Sequence, residues 1–185
     1  MKKHTILLLF LIISSSCLSQ SIYKGLNYGM SQSEAKKEFK QNKTDYTTID
    51  IGNGFLYRIY RQNFIYDNGK LVGVVLNPKG SALGMSYDLT RNYLTSTRSF
   101  FETLNYQTFI ENEWYNAPLN YLKSGSKWGL VLNKEDKSTI IQMYPMSLSS
   151  STYIVKLIIW DYNTWVGYYD AETEKQKDKA NKSGF

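Results

Sequence analysis

Two pairs of carboxylates sit close enough along the chain to share a proton or a cation: Glu111 with Glu113, and Glu135 with Asp136. Paired carboxylates can carry out acid–base glycoside hydrolysis or hold a hard cation. Both pairs fall in loop-like sequence, where adjacent charges are ordinarily just solvated. Catalysis would also need a cleft and displaced pKa values. No residue is therefore assigned a catalytic or metal-binding role. No cofactor is expected either, because the glycines form no phosphate-cradling pattern.

A second group of residues is suited to binding. Trp160, Tyr162, Trp165, Tyr168 and Tyr169 crowd one stretch, and Trp114, Tyr115, Tyr121 and Trp128 precede it. Exposed rings anchor proteins and sugars, although strands also favour aromatics as core. In an extended Trp160-Asp161-Tyr162 both rings share one face, with Asp161 opposite. The expected binding surface is Trp160, Tyr162, Trp165 and Tyr168, with an envelope protein or a glycan as partner.

The N-terminal segment narrows the chemistry further. Lys2 and Lys3 precede the apolar run Ile6 to Ile13, and Ser14, Ser15 and Ser16 follow it, so residues 1–19 read as an export signal. The run is roughly half the 20 or so apolar residues that a spanning helix needs. Cys17 and Ser19 as the small residues at −3 and −1 would start the mature chain at Gln20. Alternatively, the Ser-Ser-Ser-Cys17 sequence is similar to a lipobox, and Cys17 becomes a doubly acylated first residue able to hold a membrane. Either product is exported and periplasmic or outer-membrane associated. It would touch a membrane only through Cys17.

Cleavage also removes His4, the one histidine, and removes or acylates Cys17, the one cysteine. Ser-His-Asp and Cys-His catalysis, His or Cys zinc sites, haem attachment and thiol redox chemistry are then excluded. Loss of Lys2 and Lys3 lowers the net charge from +6 to +4. The remaining basic residues are scattered and no RNA-binding aromatic motif accompanies them, so nucleic acid is not an expected partner.

Positioning such residues falls to a chain with 42% hydrophobic and 21% charged residues, which excludes collagen-like, disulfide-scaffold and charge-dominated disordered classes. Residues 22–170 have the size of one domain, and they look duplicated as 29–80 and 84–165. Gly29-Met30-Ser31 recurs as Gly84-Met85-Ser86, and Leu71–Leu76 resembles Ile154–Ile159. Both of the latter are apolar runs interrupted at the third position, as in strands buried on both faces.

Ser31 and Glu34 form a capping-box pattern that starts a helix ending near Gln41, and Ser86 starts a second one over about Tyr87 to Asn105. Strands are expected over 46–51, 55–61, 63–67 and 70–76, with Asn68-Gly69 as a hairpin turn, then over 128–133, 138–144 and 153–162. The stretch 107–123 has no clear period. Residues 171–185 are charged and nearly free of apolar side chains, so a frayed, disordered tail is expected. The fold class is α+β: two helix-then-antiparallel-strands units forming one sheet, with the helices packed on one face.

The segment Gly29-Met30-Ser31-Gln32-Ser33-Glu34-Ala35, not long after Cys17, resembles the helix start of SmpA/BamE-type outer-membrane assembly lipoproteins, with Ala35 where Val is usual. The duplicated helix-then-sheet pattern is similar to the two-unit architecture of beta-lactamase-inhibitor proteins. Both resemblances imply a non-catalytic binder of the cell envelope.

Overall fold

The structure, a computed structural model, describes residues 20–110 and 129–183. Residues 1–19, expected to be an export signal and including Cys17, lie outside the described residues, as do Glu111, Glu113, Trp114, Tyr115, Tyr121 and Trp128.

A small hairpin of β1 (Ser21–Tyr23) and β2 (Leu26–Asn27) leads to Gly29, which turns the chain at a φ of 82° that residues with a Cβ rarely adopt. Ser31 then caps α1 (Gln32–Gln41). Its Oγ accepts the Glu34 N–H at 3.3 Å, while the Glu34 carboxylate accepts the Ser31 N–H at 2.7 Å. After the short α2 (Lys43–Thr47) and the first strands, a glycine turn and a serine cap recur before α3 (Tyr87–Glu102), without the returning carboxylate because Leu89 stands where α1 has Glu34. Gly84 has a φ of 71°, and Ser86 Oγ accepts the Leu89 N–H at 3.3 Å.

Each Gly-Met-Ser segment also pairs with the start of its unit's last strand. The Met30 carbonyl accepts from Leu71 at 2.7 Å, at the start of β6 (Lys70–Lys79). Met85 exchanges two 2.8 Å bonds with Tyr153, at the start of β10 (Tyr153–Asp161). The two helices are thereby anchored at matching places in their units.

In the first unit β3 (Ile49–Asp50) pairs with β4 (Leu56–Arg58), and β4 and β5 (Phe64–Asp67) follow one another along the same side of β6. A single 3-10 turn, Arg61–Asn63, separates β4 from β5. The second unit is a meander of β7 (Tyr106–Ile110), β8 (Leu130–Lys134), β9 (Thr139–Ser147) and β10. The order β3-β4-β6-β10-β9-β8-β7, with β5 beside β6, makes one antiparallel sheet of eight strands. The two units join where β6 and β10 run side by side, with Leu76 opposite Leu157 and Gly73 opposite Trp160.

The α+β class and the helix-then-strands order agree with the sequence reading. Helices α1 to α3 cover one face, where Ala35, Tyr46, Tyr93, Leu94 and Phe101 meet Leu71, Val74, Met143, Val155 and Leu157. Asn53 links the two units inside this layer: its Nδ2 donates to Tyr57 Oη at 2.7 Å and to Thr97 Oγ1 at 3.0 Å, and Tyr57 and Tyr93 hydroxyls bond each other.

Three expectations are corrected. The strand expected over 46–51 is reduced to Ile49–Asp50, because Tyr46 is taken into α2, where it is buried and its hydroxyl donates to Glu38 Oε1 at 2.9 Å. β10 is not buried on both faces: Tyr153, Val155, Leu157 and Ile159 are buried while the alternate residues are half-exposed.

The tail expected to be disordered is instead helical, continuing α4 (Tyr162–Ser183) on the opposite face of the sheet. Its first turns pack Trp165 on Val131 and Ile140. From Glu174 to Lys182 every residue is exposed. That stretch has Ala180 as its one apolar side chain but is made mostly of strong helix formers, with a Glu174–Lys177 pair at 2.7 Å. Low hydrophobicity argued against burial, which is a different matter from helicity.

Candidate functional site

Of the aromatic residues singled out by type, Trp160, Tyr162, Trp165, Tyr168 and Tyr169 do come together, on the back face of the sheet. Asp161 closes β10 and opens α4, its Oδ1 accepting the N–H and the hydroxyl of Thr164 at 2.8 and 2.7 Å. The helical period then sends Trp165 and Tyr169, four residues apart, to the same side, where their rings stack at 5.4 Å. Phe109 of β7 meets both edge-on, at 5.7 and 6.1 Å. Trp160 and Trp165 aim their indole N–H groups at one atom, Gln142 Oε1, at 3.0 and 3.4 Å. Gln142 is itself buried, so two ring donors occupy its carbonyl oxygen in place of water. Tyr162 packs at the edge of this cluster. Tyr168 lies edge-on to Trp160 at 6.1 Å and donates to Asp67 Oδ1 at 3.2 Å, tying α4 to β5.

This arrangement corrects the expected strip of anchors. Trp165 is 1% exposed and is the centre of a second small core rather than a surface residue. The rings left open stand at opposite edges of the layer: Tyr168, 44% exposed, and Phe109, 39% exposed. Phe109 belongs to β7, the last strand of the sheet, whose Gln107, Thr108 and Phe109 are all exposed and which has no strand on its outer side among the described residues.

Of the carboxylate pairs, Glu135 and Asp136 occupy the β8–β9 turn. Asp136 Oδ1 accepts the Ser138 N–H at 2.9 Å, and Oδ2 stands 3.4 Å from Lys134 Nζ. Hydrogen bonding from Ser138 holds the Asp136 carboxyl below its ordinary range, the opposite of what a general acid requires. Among the described residues no three His, Cys, Asp or Glu side chains gather as a metal site would need. The buried Tyr57 and Tyr93 hydroxyls are pushed up mainly by burial, so both stay protonated hydrogen-bonding groups.

One surface was missed. Lys36 and Lys40 stand four residues apart on α1 and Lys43 opens α2, an i, i+4, i+7 spacing that contiguous basic runs do not include. They line a groove beside the Arg61–Asn63 turn. No known protein family, no curated protein and no solved structure matches this chain.

Proposed function

We propose that this chain is an exported, non-catalytic protein of the cell envelope that acts by binding a protein partner. The observation that carries the reading is the outer edge of β7, which no strand among the described residues pairs, with Phe109 standing exposed on it and backed by the Trp165–Tyr169 stack. An edge strand offers unpaired backbone donors and acceptors to an incoming strand, and an aromatic ring beside it supplies the anchor. The SmpA/BamE-like helix start and the export-type N terminus support the same reading. A glycan platform is supported less, because sugar stacking needs adjacent open rings and among the described residues of this layer they lie at opposite edges. Hydrolysis is supported least, given the hydrogen-bonded Asp136.

Export is tested by intact mass of the protein recovered from its host. The expected species begins at Gln20 or at an acylated Cys17, and a mature species retaining Met1 to Ile13 would sink the export reading. Cys17→Ser, which blocks acylation, should release a tethered form from membranes.

Partner binding is tested with protein captured from detergent-solubilised envelopes. Phe109→Ala should weaken it at least tenfold, about 1.4 kcal/mol, alongside a modest fall in melting temperature from the loss of its two ring contacts, and the binding is therefore compared at a temperature where both proteins are folded. Glu135→Gln combined with Asp136→Asn should be silent. If that double variant folds normally yet abolishes function, a hydrolase reading replaces this one.

A further inference from the structure

The carboxylates around α1 are all engaged away from its lysines. Glu34 closes the capping box with Ser31, Glu38 accepts from Asn42 at 2.7 Å and from Tyr46 at 2.9 Å, and Asp45 pairs with Lys24 at 2.9 Å. Lys36, Lys37, Lys40, Lys43 and Arg61 are consequently left without an ion-pair partner among the described residues. All five line one groove of about 440 Å³, together with the half-buried ring of Phe39. An adjoining groove of about 460 Å³ is lined by Lys36 and Arg61 again, with Gln32, Gln62, Phe64 and Tyr66. Lys36 and Arg61 thus stand at the junction of two compartments of ligand size.

Like charges three and four residues apart on a helix destabilise it slightly, and the helix dipole rewards only Lys40 in the last turn. A purely structural α1 has no use for Lys36 and Lys37 on this side. The wall of the second compartment holds Tyr66, whose hydroxyl is buried without a hydrogen-bond partner. Burial raises its pKa and the positive charge of Arg61, which lines the same compartment, opposes that rise. The site therefore collects positive charge, a planar fork of donors, two amide side chains and aromatic walls, with no acid to neutralise them.

We propose that this groove binds a phosphate-bearing ligand, its phosphate held across Arg61 and Lys36 and the less polar part of the molecule lying on Phe39. A phosphate concentrates up to two negative charges and three acceptor oxygens in one group, and Arg takes it in two-point contact. A single carboxylate meets too few of these donors to hold in an open, solvated groove.

The test is an amide NMR titration of the ¹⁵N-labelled protein with inorganic pyrophosphate at physiological salt. Saturable shifts confined to Lys36–Lys43 and Arg61–Asn63, with Kd of about 1 mM or tighter, are expected. Lys36→Gln with Arg61→Gln should weaken binding at least tenfold. Lys177→Gln with Lys179→Gln, the same charge change on the exposed end of α4, should leave it unaltered. Should the first pair disturb the fold, Lys36→Gln with Lys40→Gln on the helix surface must give the same weakening. Sedimentation with phosphatidylcholine vesicles containing one-third phosphatidylglycerol separates the sources: groove-dependent retention identifies a lipid headgroup, and pyrophosphate binding without retention identifies a soluble phosphate. The proposal is overturned if neither probe binds, if the groove variants bind as well as the parent, or if a pentaglutamate peptide binds as tightly as pyrophosphate.

Discussion

Trp165→Ala is expected to lower the free energy of unfolding by about 3–5 kcal/mol, the range for removing a fully buried large ring and leaving a cavity. The side chain is 1% exposed, stacks on Tyr169, meets Phe109 edge-on and donates to Gln142. Its removal takes away the centre of the small core that holds α4 on the sheet. A domain of this size commonly has only about 5–15 kcal/mol in total, so the loss is a large share of it. Urea unfolding followed by circular dichroism measures it. Tyr168→Ala, at a ring nearly half exposed and held by one hydrogen bond and one edge-on ring contact, should cost clearly less, about 1–2 kcal/mol. A Trp165→Ala protein as stable as the parent would mean that α4 does not depend on this core. An affinity loss without a stability loss would return Trp165 to the surface role that its residue type first suggested.

That first reading and the structure differ for a definable reason. Where local chemistry decides the backbone, the sequence was legible. Ser31 with Glu34 capped a helix as expected, Ser86 capped the second, and Asn68-Gly69 turned the β5–β6 hairpin with φ of 46° and 75°. Such signals act within four residues, so they survive without knowledge of the fold. Trp165 and Tyr168 are separated by only two residues, yet one is buried and the other exposed. That outcome depends on the period switching from strand to helix at Asp161–Tyr162 and on α4 crossing the back of the sheet rather than its front. Residue type reports that a ring will find a surface to cover. It does not say whether that surface belongs to the same chain.

The basic groove was illegible for a related reason. Lys36 and Arg61 are far apart in the chain and meet only because the 3-10 turn between β4 and β5 lies against α1. Half of its signal, the i, i+4, i+7 spacing, is present in the sequence. The other half, the engagement of Glu34, Glu38 and Asp45 elsewhere, requires the hydrogen bonds themselves. Net charge cannot reveal it, because those three carboxylates count against the lysines wherever they point.

Gly73→Ala should be the other severe substitution, costing about 2–3 kcal/mol although it adds a single methyl group. Gly73 does not have a positive φ, so the requirement is one of space rather than conformation. A Cβ there would lie 2.7 Å from the Ile159 carbonyl oxygen and 3.3 Å from the Trp160 ring. The ring can shift, but the carbonyl is backbone at the β6–β10 junction where the two units meet, so relief means moving one strand from the other. Trp160→Ala is destabilising by itself, because it removes the bond to Gln142 and the contact with Tyr168, so the comparison is a double-mutant cycle. Gly73→Ala should cost less in the Trp160→Ala background than in the parent but should still be destabilising, since the ring contact is gone and the carbonyl contact is not. Gly167→Ala supplies the opposite sign: it sits exposed in α4 with nothing within 4 Å of its Cβ, and the change should stabilise by about 0.5–1 kcal/mol. Chemical denaturation of these variants and of Trp160→Ala alone decides the matter. A Gly73→Ala change without cost in the Trp160→Ala background would place the constraint in the aromatic layer alone. A neutral Gly73→Ala would mean that β6 and β10 can separate freely, and that the interrupted apolar run Leu71-Val72-Gly73-Val74 is spaced by something other than the close approach of these two strands.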